Sequence, residues 1–305
     1  MGMEAIIKPY KDYAIIEEPF YLEINNEVTD FTVAFRRKRP LSLIGPTGCG
    51  KTTLATYMSY RLRQDMITGG DITKVAKFSQ AEKQAGGSIA FPYIEIPCHE
   101  DMTETHLVGR WGLNGEWLPG PLYIGSTQGG IVVLDEIVEA RKDAIVILHP
   151  LTDDRRVLPV PKKGEVIQPP DHLMVVICYN PGYQVKSKDL KPSTRQRFPT
   201  IVMDYPPPEK EKVILQKKVP GLPDDIADRL TTLARDIRKA KDANTLSLQE
   251  GASTRLLVMA GEFYMEYKAM GLEPDFAHIA RITIFNPISN EDTEKEALEM
   301  LLKTQ

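Results

Sequence analysis

The residues with the most defined chemistry are the eight at 45–52, Gly-Pro-Thr-Gly-Cys-Gly-Lys-Thr, entered from the apolar run Leu41–Ile44 and followed by helix formers. Gly45, Gly48 and Gly50 let the backbone curl so that successive N–H groups at the start of a helix converge on phosphate oxygens. Lys51 can then reach the β and γ oxygens, and the Thr52 hydroxyl can ligate Mg²⁺. This pattern predicts a nucleoside triphosphate with Mg²⁺, cradled by Gly45, Pro46, Thr47, Gly48, Cys49, Gly50, Lys51, Thr52 and Thr53. Further along, the apolar run 131–134 delivers two carboxylates, Asp135 and Glu136. Asp135 can hold the Mg²⁺ together with Thr52, while Glu136 can accept a proton from an attacking water and aim it.

Three more places offer groups for a triphosphate. The apolar run Leu173–Tyr179 ends at Asn180, whose amide can bond the γ-phosphate or the lytic water. Next, 193–199 (Ser-Thr-Arg-Gln-Arg-Phe-Pro) carries Arg195 and Arg197; guanidinium suits the charge on a transferring phosphoryl group and is often supplied by a neighbouring molecule. Finally, 251–255 (Gly-Ala-Ser-Thr-Arg) reads as a helix start with Ser253 as its cap, which would bring Arg255 in from a lid.

The elements that must position these groups follow from hydrophobic periodicity. Short Val/Ile/Leu runs at 41–44, 93–97, 131–134, 173–179 and 200–203 alternate with helical patterns, as a parallel sheet buried on both faces requires. The expectation is a doubly wound α/β domain with ligands outside the carboxyl ends of its strands. Tyr205-Pro206-Pro207-Pro208 interrupts the pattern, and beyond it helices are predicted at 209–218, 224–241, 253–270, 274–285 and 291–303. Two domains are therefore predicted, an α/β nucleotide-binding domain over 1–206 and an all-α lid over 207–305. Residues 69–88 are polar and Gly-bounded, which suggests a surface excursion. Asn114-Gly115 signals a hairpin between Trp111 and Trp117, the chain's two tryptophans. They serve either ordinary packing or a partner contact.

At 305 residues with 42% hydrophobic and 26% charged side chains, the composition is that of a soluble globular protein. A formal net charge of -4 argues against a chain whose main task is gripping nucleic acid backbone. The sequence has no run of membrane-spanning length and no signal-peptide pattern at its start, so membrane insertion is not expected and a cytoplasmic location is. Cys49, Cys98 and Cys178 have no C-x-x-C spacing, which fits a reducing compartment. Cys98-His99-Glu100-Asp101 are adjacent rather than spaced as metal ligands usually are.

The order of these parts resembles an AAA+ ATPase of the MoxR branch, and more closely the CbbQ/NorQ/NirQ group. The motifs that carry the likeness are GPTGCGKT (45–52), CHEDMTETHLVGR (98–110), GPL (120–122), LDEIVEAR (134–141), HPLTDDRRVLPVPKKGE (149–165), YNPGYQ (179–184), KDLKPSTRQRF (188–198), DYPP (204–207) and STRLLV (253–258), with GASTR (251–255) matching the MoxR element. The likeness spans nearly the whole chain, although the stretch 66–90 is longer than the group's pattern. It implies a homo-oligomeric ring, usually a hexamer, with nucleotide, as ATP or ADP, between subunits. It also implies a partner carrying a von Willebrand factor A domain, and a client enzyme such as Rubisco or nitric oxide reductase. In the same terms Lys51 and Thr52 are Walker A residues, Asp135 and Glu136 Walker B, Asn180 sensor 1 and Arg255 sensor 2. Arg197 is the first candidate for the arginine finger acting in trans and Arg195 the second. The likeness makes 103–120 a helix-2 insert facing a central pore and 155–170 the hairpin before sensor 1.

Other classes share parts of this constellation. A monomeric P-loop kinase would use Lys51, Thr52 and Asp135 but gives the helical domain and Arg255 no task. A nucleic-acid motor on the same core sits poorly with the acidic balance, and a nucleotide-gated scaffold would not need Glu136.

Overall fold

A computed structural model describes residues 13–69, 91–180, 190–243, 248 and 250–303. The polar stretch expected as a surface excursion lies, from residue 70 to 88, outside the described residues, as do Pro181 and the rest of 181–189. The chain divides into two compact units, Met1–Ile44 with Lys51–Val202, and Gly45–Gly50 with Met203–Gln305.

In the first unit, α1 (Glu27–Arg36) precedes β1 (Leu41–Ile44), α2 (Lys51–Thr68) and β2 (Tyr93–Pro97). A helix-and-hairpin excursion follows, made of α3 (Glu104–Val108), β3 (Gly109–Trp111) and β4 (Trp117–Pro119). The chain then runs through α4 (Pro121–Gln128), β5 (Gly130–Asp135), α5 (Lys142–Val146), α6 (His149–Thr152), the hairpin β6 (Leu158–Val160) and β7 (Glu165–Ile167), β8 (Leu173–Tyr179), α7 (Pro192–Arg195) and β9 (Thr200–Val202). Five of these strands form one sheet in the order β2-β5-β8-β1-β9, and every neighbouring pair is parallel.

The inner strands β5 and β8 of this sheet are apolar on both faces. All seven residues of β8 are buried. On β5, Val132 and Leu134 pack in a cluster with Ile94, Ile96, Val175 and Ile177. The alternate residues Ile131 and Val133 are fully buried outside that cluster, as the two-residue side-chain period dictates. Each such side chain is worth about 1.5–3 kcal/mol on burial. The turn from α4 into β5 needs glycine at both of its positions. Gly129 and Gly130 have φ of 84° and 87°, and a Cβ on Gly129 would sit 2.0 Å from the His172 ring.

The two hairpins of this unit are braced against each other. Trp111 and Trp117 stand opposite across β3 and β4 with ring centroids 5.4 Å apart, and the Trp111 indole donates to the Lys162 carbonyl at 2.9 Å. Lys163 donates to the Tyr123 hydroxyl at 2.7 Å and to Glu165 at 2.9 Å, and lies 5.5 Å from the Trp117 ring centre. Leu113, at the hairpin tip, is fully exposed.

The second unit is helical beyond its loop: α8 (Pro208–Lys218), α9 (Asp224–Asp242), α10 (Thr254–Ala269), α11 (Phe276–Ala280), a π turn at Arg281–Phe285, α12 (Asn286–Ile288) and α13 (Asp292–Leu302). Its core joins Leu215, Ile226, Leu230, Leu233, Ile237, Leu257, Phe285 and Leu298. Two expectations change here. The helix foreseen from 209 starts at Pro208, because proline at the first helical position loses no internal bond and its φ is already helical. The continuous helix foreseen over 274–285 instead starts at Phe276 and opens into the π turn. Pro287 cannot donate to the Thr283 carbonyl four residues back, and the Thr283 hydroxyl bonds the Ile279 carbonyl at 2.7 Å, so the ladder widens. Asp275 caps α11 by accepting from Ala277 and His278 N–H groups at 2.9 and 3.2 Å.

Candidate nucleotide site

Strand register decides where the chemistry of the first unit collects. Ile44 on β1 pairs with Tyr179 on β8, Leu134 on β5 with Ile177, and Asp135 with Pro97 on β2. Parallel strands in this register end together, so Lys51 at the start of α2, Asp135 at the end of β5 with Glu136 after it, and Asn180 after β8 share one edge of the sheet. Lys51 and Asn180 are both buried there.

The cysteines report how closely the charges gather. Burial pushes the Cys178 thiol well above its ordinary range, Asp135, Glu95 and Glu136 push it further, and Lys51 opposes them. Burial, followed by Asp135 and Glu136, raises Cys98 to about 12. Glu95 is shifted upward by burial and then by Asp135, while the Tyr93 hydroxyl donates to it at 3.0 Å. Thr56 Oγ1 lies 3.1 Å from that tyrosine oxygen and 2.8 Å from the Thr52 carbonyl, tying the first turn of α2 to β2. A carboxylate cluster facing one lysine, with the Thr52 hydroxyl in the adjoining turn, is an all-oxygen donor set of the kind Mg²⁺ takes. Among the described residues no three His, Cys, Asp or Glu side chains gather as a complete metal cage.

Glu136 has a left-handed backbone, φ 50° and ψ 44°, at the junction between β5 and the 3-10 turn Ile137–Glu139. Its N–H is held by Asp135 Oδ1 at 3.2 Å, and its carbonyl accepts from Glu139 N–H at 2.9 Å. A non-glycine residue in this region costs on the order of 1–3 kcal/mol, a strain that persists where the surroundings fix the geometry.

Arg195 and Arg197 lie at the end of α7 and just after it. Arg195 closes α7 and is exposed; Arg197, half-buried, bonds back to the Ser193 carbonyl. Between them and the core stands Thr194, whose hydroxyl lies 2.9 Å from His149 Nε2 and so links α7 to α6. The His149 imidazole is held below its usual range by burial and then by Arg197, with Asp153 opposing.

In the second unit the loop Gly45–Gly50 keeps company with the segments that start α8 and α10. Gly48 and Gly50 have φ of 72° and 104°, the left-handed turns a phosphate cradle needs. A Cβ on Gly48 would lie 2.8 Å from Ser253 Cβ and 3.3 Å from Arg255 Cβ, so the start of α10 packs directly on the loop. Ser253 caps that helix, accepting from the Leu256 N–H at 3.4 Å. The loop is gripped at Thr47 from two sides. Tyr205 donates its hydroxyl to the Thr47 carbonyl at 3.0 Å, and Thr47 Oγ1 donates to Glu250 at 2.9 Å. Neither Tyr205 nor Glu250 stands out as a site residue in the sequence, although Tyr205 lies in the 204–207 motif and Glu250 directly precedes 251–255.

Comparison with known proteins gives this arrangement its family. A family described as "AAA domain (dynein-related subfamily)" matches residues 75–198, and one described as "CbbQ/NirQ/NorQ C-terminal" matches residues 211–305. Protein CbbQ of Hydrogenophilus thermoluteolus is 37% identical over 96% of this chain and 97% of its own length. The chain belongs to the CbbQ/NirQ/NorQ family. NorQ of Paracoccus denitrificans is 40% identical over 85% of both chains, and the denitrification regulatory protein NirQ of Pseudomonas aeruginosa 37% identical over 92% of this chain and 95% of its own. A solved mutant of RuvB from Thermotoga maritima matches with a TM-score of 0.52 at 13% identity, covering 90% of this chain and 72% of that one, which bears on the fold alone.

As a CbbQ/NirQ/NorQ protein the chain is an AAA+ P-loop NTPase, an α/β parallel-sheet region followed by a helical lid, and membership implies nucleotide binding and ATPase activity. Among the described residues no helix is long and apolar enough to cross a membrane.

Proposed function

We propose that the protein hydrolyses ATP to ADP and phosphate with Mg²⁺, as a homo-oligomeric ring, and uses the energy to remodel or mature a client enzyme. The observation that carries the reading is the gathering of Lys51, Asp135, Glu136 and Asn180 at one sheet edge, where Lys51 and the carboxylates all act on Cys178. In this reading the N–H groups of the loop 45–50 and of Lys51 and Thr52 hold the phosphates, and Lys51 neutralises the β and γ oxygens. Thr52 and Asp135 would hold the Mg²⁺, which would supply charge stabilisation to the phosphates when bound. Glu136 takes the proton of the attacking water, Asn180 orients that water or the γ-phosphate, and Arg255 answers to the triphosphate from the lid. Arg197, with Arg195 as second candidate, serves the site of the neighbouring copy. The von Willebrand factor A partner and a client of the Rubisco or nitric oxide reductase kind follow from the family resemblance.

Release of phosphate from ATP, measured with and without Mg²⁺, tests the reaction. Stoichiometric transfer of phosphate to a metabolite, or stimulation by DNA or RNA that fades with salt, would replace this reading with a kinase or a nucleic-acid motor.

A further inference from the structure

One polar network in the second unit reaches from a fully buried carboxylate to the phosphate loop, and the hydrolytic reading gives it no task. Glu211 on α8 receives both terminal nitrogens of Arg238, at 2.9 and 2.7 Å, and the Thr254 hydroxyl at 2.5 Å. Arg238 Nε donates to the Ala252 carbonyl at 2.7 Å, so one guanidinium and one carboxylate together fix 252–254, the three residues before Arg255. The guanidinium also lies 4.0 Å from the centre of the Tyr205 ring, and the hydroxyl of that ring bonds the Thr47 carbonyl. Gly251 keeps the stack tight, since a Cβ there would lie 3.1 Å from Arg238 Cγ.

Charge-assisted bidentate bonds and a cation on an aromatic face are directional contacts that a shifted partner loses together. Moving the Thr47 carbonyl therefore moves Tyr205 or breaks its bond. Moving Tyr205 disturbs the Arg238 stack that also holds the start of α10. We propose that Tyr205 is a positioning residue that couples the phosphate loop to Arg255, holding Thr47 through its hydroxyl and the start of α10 through Arg238. The inference rests on the reading of 45–52 as the phosphate cradle and of Arg255 as a group that senses its contents.

The test is a thermodynamic cycle on the full-length protein, with affinity read by titrating a fluorescent methylanthraniloyl-ATP. Tyr205→Phe keeps the ring on Arg238 and removes the hydroxyl's bond to the loop, so it should weaken binding roughly 2- to 10-fold, the range for one net hydrogen bond. Its unfolding temperature should stay at the wild-type value. Arg255→Ala should weaken binding on its own, and the double variant should be weaker than wild type by clearly less than the product of the two single effects. Should Tyr205→Phe lower the unfolding temperature, Glu250→Ala, which frees the other side of Thr47, carries the same cycle with Arg255→Ala. Losses that multiply, or wild-type affinity in either single variant of the cycle, overturn the coupling. Lys51→Ala separates the two layers: wild-type affinity there removes the phosphate-cradle reading itself and the proposal with it, whereas loss of binding in Lys51→Ala beside multiplying losses removes the coupling alone.

Discussion

Glu136, proposed as the base, has a backbone conformation that glycine adopts at lower cost. These two properties can be separated by substitution. Glu136→Gln keeps the shape and removes the base, so ATP binding should persist while turnover falls by about 10² or more, the lower end of general-base contributions, in a phosphate-release assay. Normal turnover would remove Glu136 from the mechanism. Glu136→Gly should be equally inactive, yet its unfolding midpoint should match or exceed the wild type by up to about 1 kcal/mol, because the left-handed strain is relieved. A clear loss of stability would mean that the strain is repaid by side-chain contacts. The grouping of Lys51, Asp135, Glu136 and Asn180 is legible in the sequence because each directly follows an apolar strand run or the glycine loop. The left-handed turn at Glu136 is not legible, because nothing in a glutamate's neighbours along the chain announces a positive φ.

At the scale of elements, the central strands β5 and β8 are readable because burial on both faces leaves nearly uninterrupted apolar runs. The π turn at Arg281–Phe285 escapes such reading, since it depends on a proline further along the chain and on where a threonine hydroxyl turns. The Glu211–Arg238 pair escapes too, because its partners are 27 residues apart and only the packing of α8 on α9 brings them together. Removing one member of a buried pair leaves the other charge uncompensated, so Glu211→Ala should cost about 3–5 kcal/mol in a denaturant titration. A cost near zero would show that Arg238 finds water instead. The contact between α6 and α7 should be sensitive to acid. His149 is held below its ordinary value of 6.5 by burial and by Arg197, so the unfolded chain binds its proton more readily than the folded one. Its contribution is therefore complete above about pH 6.5 and is lost as pH falls from there through the lower folded value. Unfolding temperatures of wild type and His149→Gln measured across that window should converge or cross on the acid side, and parallel curves would remove His149 from the account.

For the whole molecule, one chain carries the phosphate loop, the carboxylates and Asn180, and one of its two candidate finger arginines, Arg197, acts on both His149 and Asp153. If those arginines serve a neighbouring copy, specific ATPase activity should rise with protein concentration. An Arg195→Ala, Arg197→Ala protein, inactive alone, should then regain turnover when mixed with Glu136→Gln protein. Activity independent of concentration and no recovery on mixing would count against shared sites. A shared site would be the part of the function least legible in a single sequence, because the geometry completing it would belong to two chains. The hairpin of β3 and β4 offers a way to follow such an assembly without labels. It contains both of the chain's indoles, one half-exposed and one packed under the Lys163 ammonium group, so ultraviolet emission from this protein is a local signal. With excitation at wavelengths that tyrosine does not absorb, a change in colour or intensity on adding nucleotide would come from that single ribbon and its immediate surroundings.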